Sequence, residues 1–259
     1  MKSPSKFRIH RITQGALLLS ALLCEATGPP GPVLPSLGTA ASFNVFAANS
    51  ITSLAPFALG NVGLYDSDSS SFSYTQLGTT VPFTKDASGK FGNQFLSATC
   101  FSTDLSSPTP SILGNAAADF QAAFDNATAL TQSRIMNLGN GQIGGQALTP
   151  GLYHWPGNVV AATNFTAVGG PADTWIFQIN GDLTIRPNVT FLGKGGAIPQ
   201  NILWAVSGDV NVGSRATLQG LLLSENDIMF GDRSQHLGLI LSMNSVSFGV
   251  DAFHNSIIL

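Results

Sequence analysis

The sequence predicts a mainly β fold: a right-handed parallel β-helix, or β-solenoid, of triangular coils with one long α-helix packed along one side. Three observations predict this fold. The C-terminal third repeats with an 18-residue period, each repeat holds three short strand patterns, and the chain carries a single long helical pattern. A fixed period is typical of a solenoid, in which each coil packs on its neighbours.

The repeat is most regular near the C-terminus. Residues 203–220 align with 221–238 after a shift of 18 residues, and a second shift reaches 239–256. Residues 176–193 align too, after an extra loop of nine residues. Bends between strands favour glycine, because many of them need positive φ. Glycine recurs at bend positions in the last three units: Gly213, Gly220, Gly231, Gly238 and Gly249.

Each repeat contains a strand pattern with one apolar face. In the second strand, Val210 and Val212 flank the polar Asn211. An alternation of period two indicates a half-buried strand. Equivalent apolar pairs occur in three other units: Leu183/Ile185, Ile228/Phe230 and Val246/Phe248. The first strand of each unit, for example Leu221–Leu223, is apolar on both faces, so its outer face needs a cover.

The only long helical pattern supplies that cover. Over residues 114–135, alanine and phenylalanine recur at helical spacing. Pro108 and Pro110 precede this stretch and Gly139 follows it, as expected at helix ends. We place the helix along the doubly apolar side of the triangle.

The N-terminal half is less regular. Residues 42–51 and 59–64 read as strands of further coils. The segment 78–110 matches no coil, and we interpret it as an irregular cap that protects an open end from edge pairing.

The first 26 residues are interpreted as a signal peptide. A basic stretch precedes the apolar residues 15–24, and Cys24-Glu25-Ala26 resembles a cleavage site. The apolar run is too short to span a bilayer. We therefore expect a secreted, extracellular protein without a membrane anchor, with residues 27–259 forming a single domain.

Charge and cysteine content narrow the function. Residues 1–26 contain four of the 11 basic residues and one of the 14 acidic residues, Glu25. The rest of the chain therefore has 7 basic and 13 acidic residues, a formal charge of −6. That charge argues against nucleic-acid binding, which needs a basic face. Cys100 is then the single cysteine, which excludes a disulfide framework, and we interpret it as a buried apolar residue. The sequence also contains three N-glycosylation sequons, at Asn126, Asn164 and Asn188.

Several motifs together identify a family. They are residues 37–40 (LGTA), 42–45 (SFNV), 60–63 (GNVG), 148–153 (LTPGLY), 175–179 (WIFQI) and 201–206 (NILWAV). In this order and around a helix, they resemble the secreted ice-binding, or antifreeze, proteins of cold-adapted fungi, bacteria and algae. The resemblance implies a discontinuous β-helix with an adjacent α-helix. It also implies binding of ice by one flat face, antifreeze activity and inhibition of ice recrystallisation outside the cell, with no cofactor and no catalytic residues.

The resemblance also implies an ice-binding face, which carries a degenerate Thr-(Ala/Gly)-x-(Thr/Asn) pattern. Applied to the third strand of each unit, the pattern selects four quartets: 187–190, 214–217, 232–235 and 250–253. The candidate ice-binding residues are Thr190, Ser214, Thr217, Asp232 and Gln235. The second strand is the alternative, with Thr184, Asn211, Met229 and Ser247 pointing outward.

Two clusters could carry other chemistry. Asp182, Asp209 and Asp227 occupy one position in successive coils, either as a Ca²⁺ site or as carboxylates that suit a bend. His236 and His254 occupy equivalent positions one coil apart, either as an acid/base or metal pair or as packing residues. We assign no metal site.

Two alternative functions use the same fold. One is a cell-wall or polysaccharide-binding adhesion module, which would bind extracellular glycans and for which Phe253 is a candidate exposed aromatic residue. The less favoured one is a β-helix polysaccharide lyase. Against the lyase, Lys85, Lys90 and Lys194 do not converge, and no nucleophile motif is present.

Overall fold

The computed structural model describes residues 31–54, 60–76, 79–82 and 99–255, with no side-chain detail over 74–82. The proposed signal peptide, Lys85 and Lys90 lie outside these ranges. The described helices are α1 (Thr109–Ala129) and four short 3-10 helices, Gly38–Ser42, Ser69–Ser71, Leu138–Gly141 and Pro199–Asn201.

Short strands are the main regular structure of the described chain. In chain order they are β1 (Val45–Ala47), β2 (Ser50–Ser53), β3 (Asn61–Leu64), β4 (Phe72–Gln76), β5 (Thr79–Pro82), β6 (Thr99–Phe101), β7 (Arg134–Met136), β8 (Ala147–Leu148), β9 (Gly151–Trp155), β10 (Val159–Ala161), β11 (Phe165–Val168), β12 (Trp175–Ile179), β13 (Leu183–Ile185), β14 (Phe191–Lys194), β15 (Ile202–Val206), β16 (Val210–Val212), β17 (Thr217–Gln219), β18 (Leu221–Ser224), β19 (Ile228–Phe230), β20 (Gln235–Leu237), β21 (Ile240–Ser242), β22 (Ser245–Phe248) and β23 (Phe253–Asn255).

The strands form the three sides of a solenoid. The nine-stranded side has the order β6-β3-β1-β21-β18-β15-β12-β9-β7, and the eight-stranded side has the order β10-β13-β16-β19-β22-β2-β4-β5. The third side consists of the sheets β14-β11-β8 and β17-β20-β23, joined by a bridge between Thr190 and Thr217. Within the described strands, pairing is parallel except between β4 and β5. The predicted parallel β-solenoid is confirmed.

The coils do not stack in the order of the chain. β1 pairs with β21 on one edge and with β3 on the other, and β2 likewise lies between β22 and β4. The chain then passes through α1 to β7, at the opposite end of the nine-stranded side, and returns coil by coil. This is the discontinuous β-helix that the family resemblance implied.

The helix covers the nine-stranded side, as predicted. Its buried residues are Leu113, Ala116, Phe120, Ala123, Phe124 and Ala127. They form one apolar cluster with outward residues of the sheet, among them Ile176, Leu203 and Leu223. This burial accounts for first strands that are apolar on both faces.

The helix bounds differ from the predicted 114–135. Pro110 lies within the first turn, where a proline costs no helix hydrogen bond, so the helix begins at Thr109. At the other end, Arg134 and Ile135 belong to β7, which pairs with β9. The helix therefore ends at Ala129.

The segment 78–110 is also more ordered than predicted, because β6 is a coil strand that pairs in parallel with β3. With only three residues, β6 is too short to show an alternation in sequence. Thr109 and Pro110 belong to α1. Residues 83–98 lie outside the described ranges, so a capping role for this segment stays a prediction.

The solenoid interior is a second apolar cluster, rich in aromatic side chains. Three fully buried tryptophans each donate their indole N–H to a main-chain carbonyl: Trp155 to Leu138 at 2.9 Å, Trp175 to Leu148 at 3.0 Å and Trp204 to Gln219 at 3.0 Å. Cys100 belongs to this cluster, and burial raises the pKa of its thiol to about 12. The interpretation of Cys100 as a buried apolar residue is confirmed.

Candidate functional site

The eight-stranded side carries the longest in-register column of at least partly solvent-exposed residues in the described chain. Its central column is set by the parallel register and runs Val160, Thr184, Asn211, Met229, Ser247, Thr52, Ser73. From Val160 to Thr52, each of these residues lies between two buried ones, and all seven are themselves half-exposed or exposed. Neighbouring strands are about 4.8 Å apart, so the column presents one side chain per coil at that spacing.

A second outward column lies along the corner that precedes this side: Asn158, Asp182, Asp209, Asp227, Ser245 and Ser50. Each side-chain oxygen from Asn158 to Asp227 accepts the main-chain N–H of the next residue in the column, at 2.9, 2.9, 3.3 and 3.1 Å. The Ser50 hydroxyl lies 3.0 Å from that of Ser245. The column therefore ties each coil to the next.

These contacts decide whether the stacked aspartates are a Ca²⁺ site or bend residues. One oxygen of Asp182, Asp209 and Asp227 is occupied by a backbone N–H, which is the bend role. Among the described residues, no group of three or more His, Cys, Asp or Glu side chains is placed to hold a metal ion.

Glycines make both corners of this side tight. A Cβ on Gly208 would lie 2.2 Å from the Asp182 carboxylate, and one on Gly231 would lie 2.7 Å from the Ser214 nitrogen. Gly213 and Gly231 line a shallow groove beside Thr184, Asn211 and Met229. The central column therefore stands beside a shallow groove that two of these glycines help to form.

The sequence-predicted quartets lie mostly on a corner and not on the third strand, so that placement was wrong. Their second residues, Asn188, Arg215, Arg233 and Asp251, have φ values of +63°, +58°, +56° and +54°. Ser214 and Asp232 belong to the same turns. Left-handed backbone at a residue other than glycine is uncommon. Asparagine and aspartate adopt it more readily than most residues, whereas Arg215 and Arg233 give no such signal.

Three of the candidate residues do come together on the third side. Thr190 pairs with Thr217 through the bridge, and Thr217 pairs with Gln235. The column ends at Phe253, whose side chain is 56% exposed. This surface is less regular, because the loop after Lys194 interrupts it and Leu192 is exposed beside it.

The three sequon asparagines are exposed. Asn126 lies on the outer face of α1, and Asn188 lies at the corner between the eight-stranded and third sides. Asn164 lies near that corner, and its Oδ1 accepts the Thr190 N–H at 2.8 Å.

The histidine pair is a packing feature of the interior. His236 and His254 are 1% and 2% exposed, their rings stack with centroids 5.3 Å apart, and their Nδ1 atoms are 3.2 Å apart. Burial, followed by the charge on His254, lowers the pKa of His236 well below its ordinary value. Burial also lowers the pKa of His254, to about 3. Neither ring reaches a surface where a substrate could bind.

A discontinuous parallel β-solenoid with a helix on one side and a regular, small-residue surface on another defines a class of ice-binding-like proteins. The family model described as Ice-binding-like matches residues 45–253, and the chain belongs to this family. The predicted resemblance is confirmed.

Individual relatives agree with this assignment. Ice-binding protein K1-A of Typhula ishikariensis is 31% identical over 210 residues, which are 81% of this chain and 84% of that protein. The ice-binding protein of Leucosporidium sp. (strain AY30) is 34% identical over 191 residues, 73% of this chain and 71% of that protein.

A solved structure supports the same fold. An ice-binding protein from an Arctic yeast, determined to explain its antifreeze activity, has a TM-score of 0.80 and 30% identity, covering 87% of this chain and 95% of that one. The family is one of ice-binding proteins and not of enzymes. The adhesion and lyase alternatives therefore find no support in these relatives.

Proposed function

We propose that the protein binds ice through the eight-stranded side of its β-solenoid and has antifreeze and recrystallisation-inhibiting activity outside the cell. The observation that carries the proposal is the seven-residue column on this side, held in one register by continuous parallel pairing from β10 to β4. The names of the relatives give the class of ligand.

The physical requirement is a rigid array of small side chains that can hold water in fixed positions. First-shell water that bridges polar groups is nearly as favourable as a direct hydrogen bond, at a modest entropic cost. Parallel pairing and the corner hydrogen bonds fix the array before ice arrives. The entropic cost of ordering the protein is therefore already met during folding.

The third side is the second candidate, because Thr190, Thr217 and Gln235 form a column of their own. Its column is shorter than that of the eight-stranded side, which makes it less suitable. The corner that the two sides share carries exposed Arg215 and Arg233, and Arg233 lies 3.8 Å from Asp251 with both side chains well exposed. A glycan on Asn188 would stand at the same corner, beside both surfaces.

We further propose that residues 1–26 direct secretion, that Asn126, Asn164 and Asn188 are glycan acceptors, and that ice is the extracellular partner. Extracellular glycans form a second class of partner, and the formal charge of −6 disfavours nucleic acid. None of the helices described here is long and apolar enough to cross a membrane.

The test is ice-crystal shaping and thermal hysteresis with purified residues 27–259, together with two variants. Ser247→Tyr places a bulky ring on the eight-stranded side, and Thr217→Tyr places the same ring on the third side. We expect the wild type and Thr217→Tyr to shape ice and Ser247→Tyr to lose the freezing gap. Round, freely growing crystals with the wild type would overturn the function. Loss of the freezing gap in Thr217→Tyr alone would show that the third side is the ice-binding surface.

A further inference from the structure

We infer that ice contact is concentrated on one half of the eight-stranded side. This inference rests on the proposed function. We call the half made by β22, β2 and β4 the neutral half; its outward residues are Ser245, Ser247, Ser50, Thr52 and Ser73. The half made by β13, β16 and β19 is the acidic half; its outward residues are Asp182, Thr184, Asp209, Asn211, Asp227 and Met229.

The two halves differ in charge although their backbones are equivalent. Each of the five residues named for the neutral half carries a hydroxyl group and is half-exposed. Each coil of the acidic half carries an aspartate, and Met229 adds an exposed apolar side chain. Removing water from a carboxylate is far costlier than removing it from a hydroxyl, so an advancing ice surface meets less resistance on the neutral half.

The hydroxyl groups of the neutral half form a two-dimensional grid. Adjacent strands are about 4.8 Å apart, and alternate residues of a strand are about 6.7 Å apart. Ser245 and Ser247 lie on one strand, with Ser50 and Thr52 beside them in register. Such a grid can order water at a regular repeat.

The grid is held at both of its corners. At one corner, Ala48 N–H donates to the Asn244 carbonyl at 3.0 Å, and the side chains of Asn49 and Asn244 are hydrogen-bonded. At the other corner, Leu54 N–H donates to the Phe248 carbonyl at 2.9 Å. One carboxylate adjoins the grid within its column: Asp227, one coil away, accepts the Ser245 N–H at 3.1 Å. Asp66, Asp68 and Asp251 belong to corners and not to the two columns.

The neutral half is built across the discontinuity of the solenoid. Ser50 and Ser245 are 195 residues apart in sequence yet share a hydrogen bond. The ice-contacting grid therefore exists only when the N-terminal coil has docked on the C-terminal coils. Folding of this junction and formation of the binding site are one event.

A matched pair of variants tests the inference. Thr52 and Thr184 are both threonines of the central column and both half-exposed, one in each half. We expect Thr52→Tyr to lose the freezing gap and Thr184→Tyr to reduce it by a smaller amount, at unchanged melting temperatures. Ser247→Tyr repeats the test one coil away if Thr52→Tyr does not fold.

The outcomes separate this inference from the proposed function. Suppose that wild type shapes ice and that Thr184→Tyr alone loses activity, or that both tyrosine variants lose it equally. Either result overturns the inference and still supports the eight-stranded side as the ice-binding surface. If both variants keep the wild-type freezing gap, the eight-stranded side is wrong as well. If wild type does not shape ice, the proposed function itself fails.

Discussion

The side-chain amide of Gln178 donates a hydrogen bond of 2.6 Å to the main-chain carbonyl of Ala127, in the last turn of α1. The same nitrogen lies 2.9 Å from the Leu130 carbonyl, and Gln178 is 1% exposed. The last carbonyls of a helix have no partner within the helix. A strand residue of the solenoid therefore supplies the C-terminal cap of the helix that covers it.

Replacing Gln178 with leucine should destabilise the protein, because buried helix carbonyls would lose their donor. The expected cost is about 1–3 kcal/mol, and each kcal/mol lowers the melting temperature by about 2–4 °C at this size. Calorimetry measures the shift. Gln121→Leu is the matched control, since Gln121 makes only an exposed contact with Asp125. Equal melting temperatures for the two variants would contradict the capping role.

Phe120→Asp should prevent folding, because it buries an unpaired carboxylate between the helix and the nine-stranded side. Ala118→Asp changes an exposed position of the same helix and should be tolerated. Circular dichroism and thermal melting of both variants check this. A folded Phe120→Asp protein with the wild-type melting temperature would show that the helix does not depend on this contact.

Acid should destabilise the protein through His236 and His254. Their folded-state pKa values are lowered, so below the ordinary value of 6.5 the unfolded chain binds protons that the folded chain does not. Stability is therefore complete above pH 6.5 and is lost as the pH falls toward about 3, the folded-state pKa of His254. Within that window His254 contributes about 1.4 kcal/mol per pH unit, and His236 acts in the same direction.

Replacing His254 with phenylalanine should flatten this pH dependence, because phenylalanine keeps the stacked ring and removes one proton-binding group. Denaturant unfolding of wild type and variant across the acid range provides the measurement. Parallel curves for the two proteins would rule out the histidine pair as the source of acid sensitivity.

Extending the neutral half by one coil should strengthen ice binding. The double variant Asp227→Asn, Met229→Thr removes the charge and the apolar side chain of β19, while asparagine keeps an acceptor for the Ser245 N–H. Thermal hysteresis should rise above the wild-type value. Asp182→Asn, two coils further away, should leave it unchanged. A freezing gap that stays the same in the double variant would argue against the neutral half as the contact surface.

Local sequence pattern predicted the coils well. Val210 and Val212 are buried and Asn211 is half-exposed, as the alternation of period two required. The spacing of the apolar residues in the helix also predicted which of its faces is buried. These features depend on neighbours in sequence, which is why a single chain reveals them.

Features decided by distant contacts could not be predicted. The helix end depends on Gln178, some 50 residues away. The corners depend on left-handed backbone at four equivalent positions, and at two of them, Arg215 and Arg233, the residue type gives no sign of it. The outward residues of the second strand were named as an alternative site. Their continuation by Thr52 and Ser73 depends on the pairing of β2 with β22 and β4, which no repeat in the sequence shows.

The most direct test of ice binding by the eight-stranded side follows a single ice crystal growing in a solution of residues 27–259, with Ser247→Tyr alongside. The account predicts a faceted crystal and a freezing gap for the wild type, and a round crystal with no gap for the variant. A round, freely growing crystal with the wild type, or equal shaping by both proteins, would contradict it.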